Sequence, residues 1–88
     1  MAEVTLYGSD HCPYCVRAEL LLRSRGCHTI NKIMVDRDPQ PLAEMMARTG
    51  RRTVPQIFIG PRHIGGYDDL SRIPGSELDM LLAAPPAP

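Results

Sequence analysis

Glu3-Val4-Thr5-Leu6-Tyr7-Gly8-Ser9-Asp10-His11-Cys12-Pro13-Tyr14-Cys15 carries a strand pattern into a helix pattern and sets two cysteines at the junction. Val4 and Leu6 share one face at a period of two, so residues 3–7 read as a strand and residues 8–11 as the turn after it. Pro13 suits the first position of a helix, because its missing N–H would have had no intrahelical partner there and its φ is already helical. Cys12 then takes the N-cap. A sulfur at that position faces unpaired amide N–H groups and the positive end of the helix dipole, which favour the thiolate over the thiol. The pattern therefore points to redox chemistry at Cys12 and Cys15 rather than to a pair of small buried side chains.

Outward from this junction, residues 16–23 carry apolar positions at helical spacing, with Val16, Leu20 and Leu21 expected to face the core. Gly26 ends that helix as a left-handed residue does, and Arg23 and Arg25 complement the negative end of its dipole. Residues 29–35 read as a second strand, and a strand–helix–strand unit of this length crosses over right-handedly to give two parallel strands. Residues 36–41 read as a turn. Leu42 to Arg48 form a short helix whose apolar side is Leu42, Met45 and Met46, ended by Thr49-Gly50. Residues 56–59 and 62–65 pair as an antiparallel hairpin around Gly60-Pro61. Tyr67 to Leu70 begin a helical turn, and residues 76–82 give a last amphipathic segment. The order is βαβαββα in one domain over residues 1–83, with residues 84–88 as a flexible Pro/Ala-rich tail.

The 88-residue chain, 43% hydrophobic and 23% charged, has the length and composition of one ordinary globule. Ten basic and ten acidic residues leave no net formal charge, which disfavours general binding to nucleic acid or to an anionic membrane. No stretch approaches the roughly 18 apolar residues of a membrane span. An odd count of three cysteines argues against a secreted disulfide framework, so a cytoplasmic location is expected. Cys27 reads as a small, half-buried residue outside the site.

Further motifs accompany the cysteines. Thr53-Val54-Pro55 places a proline directly before a strand, where it marks an edge or a cis peptide. Gly65-Gly66-Tyr67-Asp68-Asp69 places two glycines before a helix start, where backbone can approach a ligand closely and N–H groups can hold a carboxylate. A Cys-x-x-Cys beside a strand–helix–strand unit suggests a thioredoxin-like α/β fold. With Thr53 to Ile59 and Ile64 to Leu70 in order and spacing, the chain resembles the glutaredoxins of the bacterial glutaredoxin three type from about residue 3 to 82.

The resemblance implies a four-stranded mixed sheet flanked by helices and a cis Val54–Pro55 peptide facing the active cysteine. It implies a glutathione-dependent thiol–disulfide oxidoreductase with no bound cofactor, no metal ligand and glutathione as co-substrate. Cys12 would be the nucleophile and Cys15, one helical turn on, the resolving thiol. Glutathione would lie against Tyr14, Arg51, Thr53, Val54, Pro55, Gly66, Tyr67, Asp68 and Asp69, with Arg51 meeting its glycyl carboxylate and the Val54 backbone its cysteine. Its partners would be disulfide-containing or glutathionylated proteins, met as a monomer. Read as residues alone, Tyr14 equally caps apolar surface, Arg51 and Arg52 make a solvated pair, and Asp68 and Asp69 are N-terminal helix charges.

The chain departs from the family pattern at Ser9, where many glutaredoxins carry lysine; Arg17, Arg51 and Arg52 are the candidate replacements. His11, next to Cys12, reads either as a protonatable neighbour of the thiolate or as a plain exposed residue. Two rival functions share the motif. One is a thioredoxin-like electron carrier reduced by a flavoprotein reductase. The other is an iron–sulfur module built on Cys12 and glutathione thiolates, which Pro13 disfavours by family resemblance.

Overall fold

The computed structural model of the chain describes residues 1–86; residues 87 and 88, the end of the expected tail, lie outside them. The elements run β1 (Val4–Gly8), α1 (Pro13–Ser24), β2 (Asn31–Met34), α2 (Pro39–Thr49), β3 (Gln56–Ile59), β4 (Arg62–Gly65), α3 (Tyr67–Arg72) and α4 (Gly75–Ala83). The sheet order is β2-β1-β3-β4. β1 is parallel to β2, as the crossover demands, and antiparallel to β3, while β3 and β4 form the hairpin. This is the expected thioredoxin-like α/β fold with a four-stranded mixed sheet.

Alternation along the central strands sorts the core into two layers. Val4 and Leu6 of β1 and Ile57 and Ile59 of β3 point to one face, where Ala18 and Leu22 of α1, Leu70 of α3, and Leu78 and Leu82 of α4 cover them. Tyr7 and Phe58 point to the other face and meet Val35 and Met45. Val54, just before β3, packs against both layers, so the segment entering the central strand is gripped from two sides.

The helix boundaries follow from their caps. Gly26 at φ 89 closes α1, its N–H donating to the Arg23 carbonyl at 3.0 Å. α2 begins three residues earlier than Leu42, because Asp38 caps it by accepting the Gln40 N–H at 2.9 Å and Pro39 takes the first helical position. The second strand is shorter than residues 29–35. The closing helical stretch is two helices, since Ile73, extended at φ −70 and ψ 126 before Pro74, interrupts it.

One expectation about packing is corrected. Val16 and Leu20 are 58% and 62% exposed, whereas Ala18 and Leu22 are fully buried and Leu21 is half-buried. The run Leu20-Leu21-Leu22 is compatible with more than one helical phase. Cys15, which must lie inward against β1, selects the phase that buries the positions three and seven residues further on. Met46 likewise turns outward at 36% exposure while Met45 is fully buried, and Cys27 is fully buried rather than half-buried.

Leu22→Ala is therefore expected to cost about 2–5 kcal/mol in urea unfolding. Leu20→Ala, at an exposed site, should stay within about 0.5 kcal/mol of the parent.

Candidate active site

Cys12 and Cys15 stand at the N-terminus of α1, joined as a disulfide with their Cα atoms 5.2 Å apart. Cys12 is the N-cap, extended at φ −108 and ψ 99, and its sulfur accepts the Cys15 N–H at 3.1 Å. The orphan amide at the helix start is thus satisfied by the sulfur itself. Cys12 is partly accessible, while Cys15 is 9% exposed. Gly8 makes room for the inner sulfur: a Cβ there would stand 3.3 Å from Cys15 Sγ and 3.1 Å from Leu6 Cδ2.

On one side of the pair lies a cleft of about 240 Å³ lined by Tyr14, Arg51, Thr53, Val54, Pro55, Gly66, Tyr67, Asp68 and Asp69, with Gln56 added. Every residue the sequence assigned to glutathione faces this one space. The Val54–Pro55 peptide is cis. Tyr14 and Tyr67 bring their rings to 6.0 Å across the cleft, and the Arg17 guanidinium lies 5.1 Å from the Tyr14 ring. Gly66 comes close to the opposite wall, since a Cβ on it would meet the Pro55 carbonyl oxygen at 3.5 Å.

Asp69 organises the helix side of the cleft. Its Oδ2 accepts the Gly66 N–H at 2.9 Å and an Arg51 N–H at 3.1 Å. These contacts, the Gly66 N–H first and then Arg51, hold its carboxyl below the ordinary aspartate range. Gly65 must be glycine here: its φ is 118, and a Cβ would strike the Asp69 carboxylate.

The cysteines themselves open onto a second, larger groove of about 570 Å³, with Ser9, Asp10, His11, Pro13, Val16, Glu19 and Lys32 around it. Lys32 is the cation that shares this groove with Ser9, its Nζ 3.0 Å from Glu19. The loop before Cys12 is tied down: the Asp10 N–H donates to Asp36 Oδ2 at 2.9 Å, and Arg37 donates to the Asp10 carboxylate at 3.0 and 3.4 Å. His11 is exposed and adopts a left-handed φ of 58. Arg52 is exposed and does not line the cleft.

Sequence reading passed over Gln56 and His63. Gln56 is 1% exposed, and its amide Nε2 donates to Thr53 O at 3.0 Å and to Thr53 Oγ1 at 3.3 Å. His63 Nε2 lies 2.8 Å from Gln56 Oε1. The signal was present: a glutamine opening an otherwise apolar strand has to find partners if that strand is central.

A thioredoxin-like sheet with a Cys-x-x-Cys disulfide capping its first helix, next to a cleft lined by a cis-proline, defines a thiol–disulfide oxidoreductase. Comparison with known proteins narrows the class. The family model described as Glutaredoxin matches residues 4–64. A glutaredoxin of Neisseria meningitidis serogroup A is 48% identical over 73 residues, covering 83% of this chain and 86% of the relative. Glutaredoxin 3 of Escherichia coli is 49% identical over 70 residues, covering 80% and 83%. Among solved structures, a buckwheat glutaredoxin–glutathione complex superposes with a TM-score of 0.78 at 29% identity, covering 92% of this chain and 76% of that one. The chain belongs to the glutaredoxin family.

Gly65→Ala should destabilise the fold by about 1–3 kcal/mol, read by thermal or urea unfolding, because it forces a side chain into φ 118 and displaces Asp69. Asp69 also carries a pH signature. Its native pKa lies below its unfolded one, so its stabilisation is complete above about pH 4 and is lost as the pH falls through the native value. Asp69→Asn should accordingly flatten the fall in urea midpoint below about pH 4 relative to the parent protein.

Proposed function

We propose that the protein is a glutathione-dependent dithiol oxidoreductase that reduces protein disulfides and glutathione mixed disulfides, with glutathione as co-substrate. The observation that carries this reading is the cleft of about 240 Å³ beside Tyr14, which the Thr53-Val54-Pro55 segment and the Gly66–Asp69 helix start line together. The glutathione complex solved for the buckwheat relative supports it.

In this reading the Val54 backbone, outside the strand ladder that ends at Tyr7 and Gln56, pairs with the cysteine of glutathione. The N–H groups of Tyr67, Asp68 and Asp69 stand in the first turn of α3 without intrahelical acceptors and take the γ-glutamyl carboxylate. Arg51 takes the glycyl carboxylate. Its present pairing with Asp69 leaves the two side chains 48% and 40% exposed, and such pairs contribute only about 0–1 kcal/mol. Arg51 can therefore turn to a substrate carboxylate while Asp69 keeps the Gly66 N–H.

The Cys12 thiolate, stabilised at the helix start, attacks one sulfur of a client disulfide, and the other client sulfur leaves as a thiolate. The Cys15 thiolate then attacks Cys12 Sγ and expels the client, giving the Cys12–Cys15 disulfide seen here. A glutathione thiolate attacks Cys12 Sγ with Cys15 leaving. A second glutathione attacks the glutathione sulfur of that mixed disulfide, forming oxidised glutathione and restoring the Cys12 thiolate. With a glutathionylated client, Cys12 attacks the glutathione sulfur directly and the client thiol leaves, so Cys15 takes no part. The same reading has residues 1–83 acting as a single domain, monomeric and cytoplasmic, on disulfide-containing or glutathionylated proteins.

Cys12→Ser should abolish both activities. Cys15→Ser should retain release of glutathione from a glutathionylated peptide yet lose reduction of a protein disulfide, measured with glutathione as the reductant. Loss of both activities in folded Cys15→Ser would contradict the division of roles.

A further inference from the structure

The polar group most deeply buried beside the cleft is the Gln56 amide, and its surroundings allow one orientation only. Thr53 O is a carbonyl and can only accept, so the Gln56 nitrogen must face it, at 3.0 Å. Gln56 Oε1 then faces His63 Nε2 at 2.8 Å, and two acceptors do not meet at that distance. His63 Nε2 must therefore carry a hydrogen. Burial first, and the nearby Arg51 and Arg48 with it, push the imidazole pKa down against the opposing pull of Asp69, which favours the neutral ring. A neutral ring protonated at Nε2 leaves Nδ1 bare.

The ring is itself held in place. His63 sits across from Phe58 in the β3–β4 pairing, with ring centroids 5.0 Å apart, and the Arg48 guanidinium covers Phe58 at 3.9 Å. From the sheet edge inward, the chain of contacts runs from a packed imidazole through a buried amide to the carbonyl and hydroxyl oxygens of Thr53. Thr53 is the exposed first residue of the wall that ends in the cis Val54–Pro55 peptide.

We propose that His63 is a positioning residue for glutathione: its Nε2–H fixes the Gln56 amide, and the amide fixes Thr53 and with it the Val54 backbone that faces the substrate. This rests on the glutathione reading of the cleft. Without the imidazole donor, Gln56 Oε1 is a buried acceptor with no hydrogen, and any rotation of the amide toward another donor gives up its bonds to Thr53. Cys12 and Cys15 are untouched by that rotation. The loss therefore falls on substrate binding and not on the exchange step.

The test uses the full chain and a glutathionylated cysteine peptide with glutathione, glutathione reductase and NADPH. His63→Phe, which keeps the ring and removes the donor, should raise KM for the peptide about five- to tenfold with kcat little changed. His63→Gln, which restores an N–H at similar reach, should return KM to within about twofold of the parent. Reduction of the Cys12–Cys15 disulfide by dithiothreitol should proceed alike in all three. In the parent protein, a proton–nitrogen correlation of the His63 ring should show Nε2 protonated and Nδ1 bare.

An unchanged KM in folded His63→Phe, a loss confined to kcat, failure of His63→Gln to rescue, or a ring protonated at Nδ1 alone would each overturn the proposal. If the parent protein does not turn over the glutathionylated peptide, the glutathione reading falls, and the ring measurement still decides whether His63 donates to Gln56.

Discussion

The contact on which the rest depends is the N–H of Cys15 donating to the sulfur of Cys12 at the first turn of α1. It places the outer sulfur where the helix amides converge and the inner sulfur against Gly8, where β1 ends. With Cys15 held inward, the phase of α1 follows: Ala18 and Leu22 go into the layer shared with α3 and α4, and Val16 and Leu20 go out. The same phase turns Tyr14 outward toward Tyr67, so that one wall of the cleft is a consequence of how the disulfide is seated. Reactivity and groove are set by one cap.

The opposite walls are each fixed by a buried or half-buried polar contact within the protein. Asp69 holds the Gly66 amide and Gln56 holds Thr53, each through a side chain reaching back three residues along the chain. Side-chain rotamers and backbone fixed in advance lose less freedom when a substrate is bound. The loop before Cys12 is handled likewise through Asp10, Asp36 and Arg37, so this segment is anchored to the neighbouring loop rather than loose.

Much of this was legible in the chain because local rules and tertiary demands agree. Val4 and Leu6 alternate, Pro13 and Gly26 bracket α1, and Gly60-Pro61 turns the hairpin, so the strands and helices could be placed by residue type. The family motifs named the residues of one cleft although they lie far apart in sequence. What stayed hidden depends on phase or on cross-strand partners. Three consecutive leucines do not declare which of them faces inward, and only the seat of Cys15 decides. Asp38-Pro39 carries the same cap-and-proline signal as Cys12-Pro13, but its surroundings read equally as a turn. Gln56 and His63 are seven residues apart on two strands, and their contact exists only once the hairpin register is set.

The central claim is that the cleft beside the disulfide makes glutathione the reductant. The most direct measurement is turnover of a small mixed disulfide by the protein with glutathione, glutathione reductase and NADPH, set beside the same protein with thioredoxin reductase and NADPH. The account predicts turnover in the glutathione system. Turnover only with thioredoxin reductase would contradict it and make the protein an electron carrier of thioredoxin type.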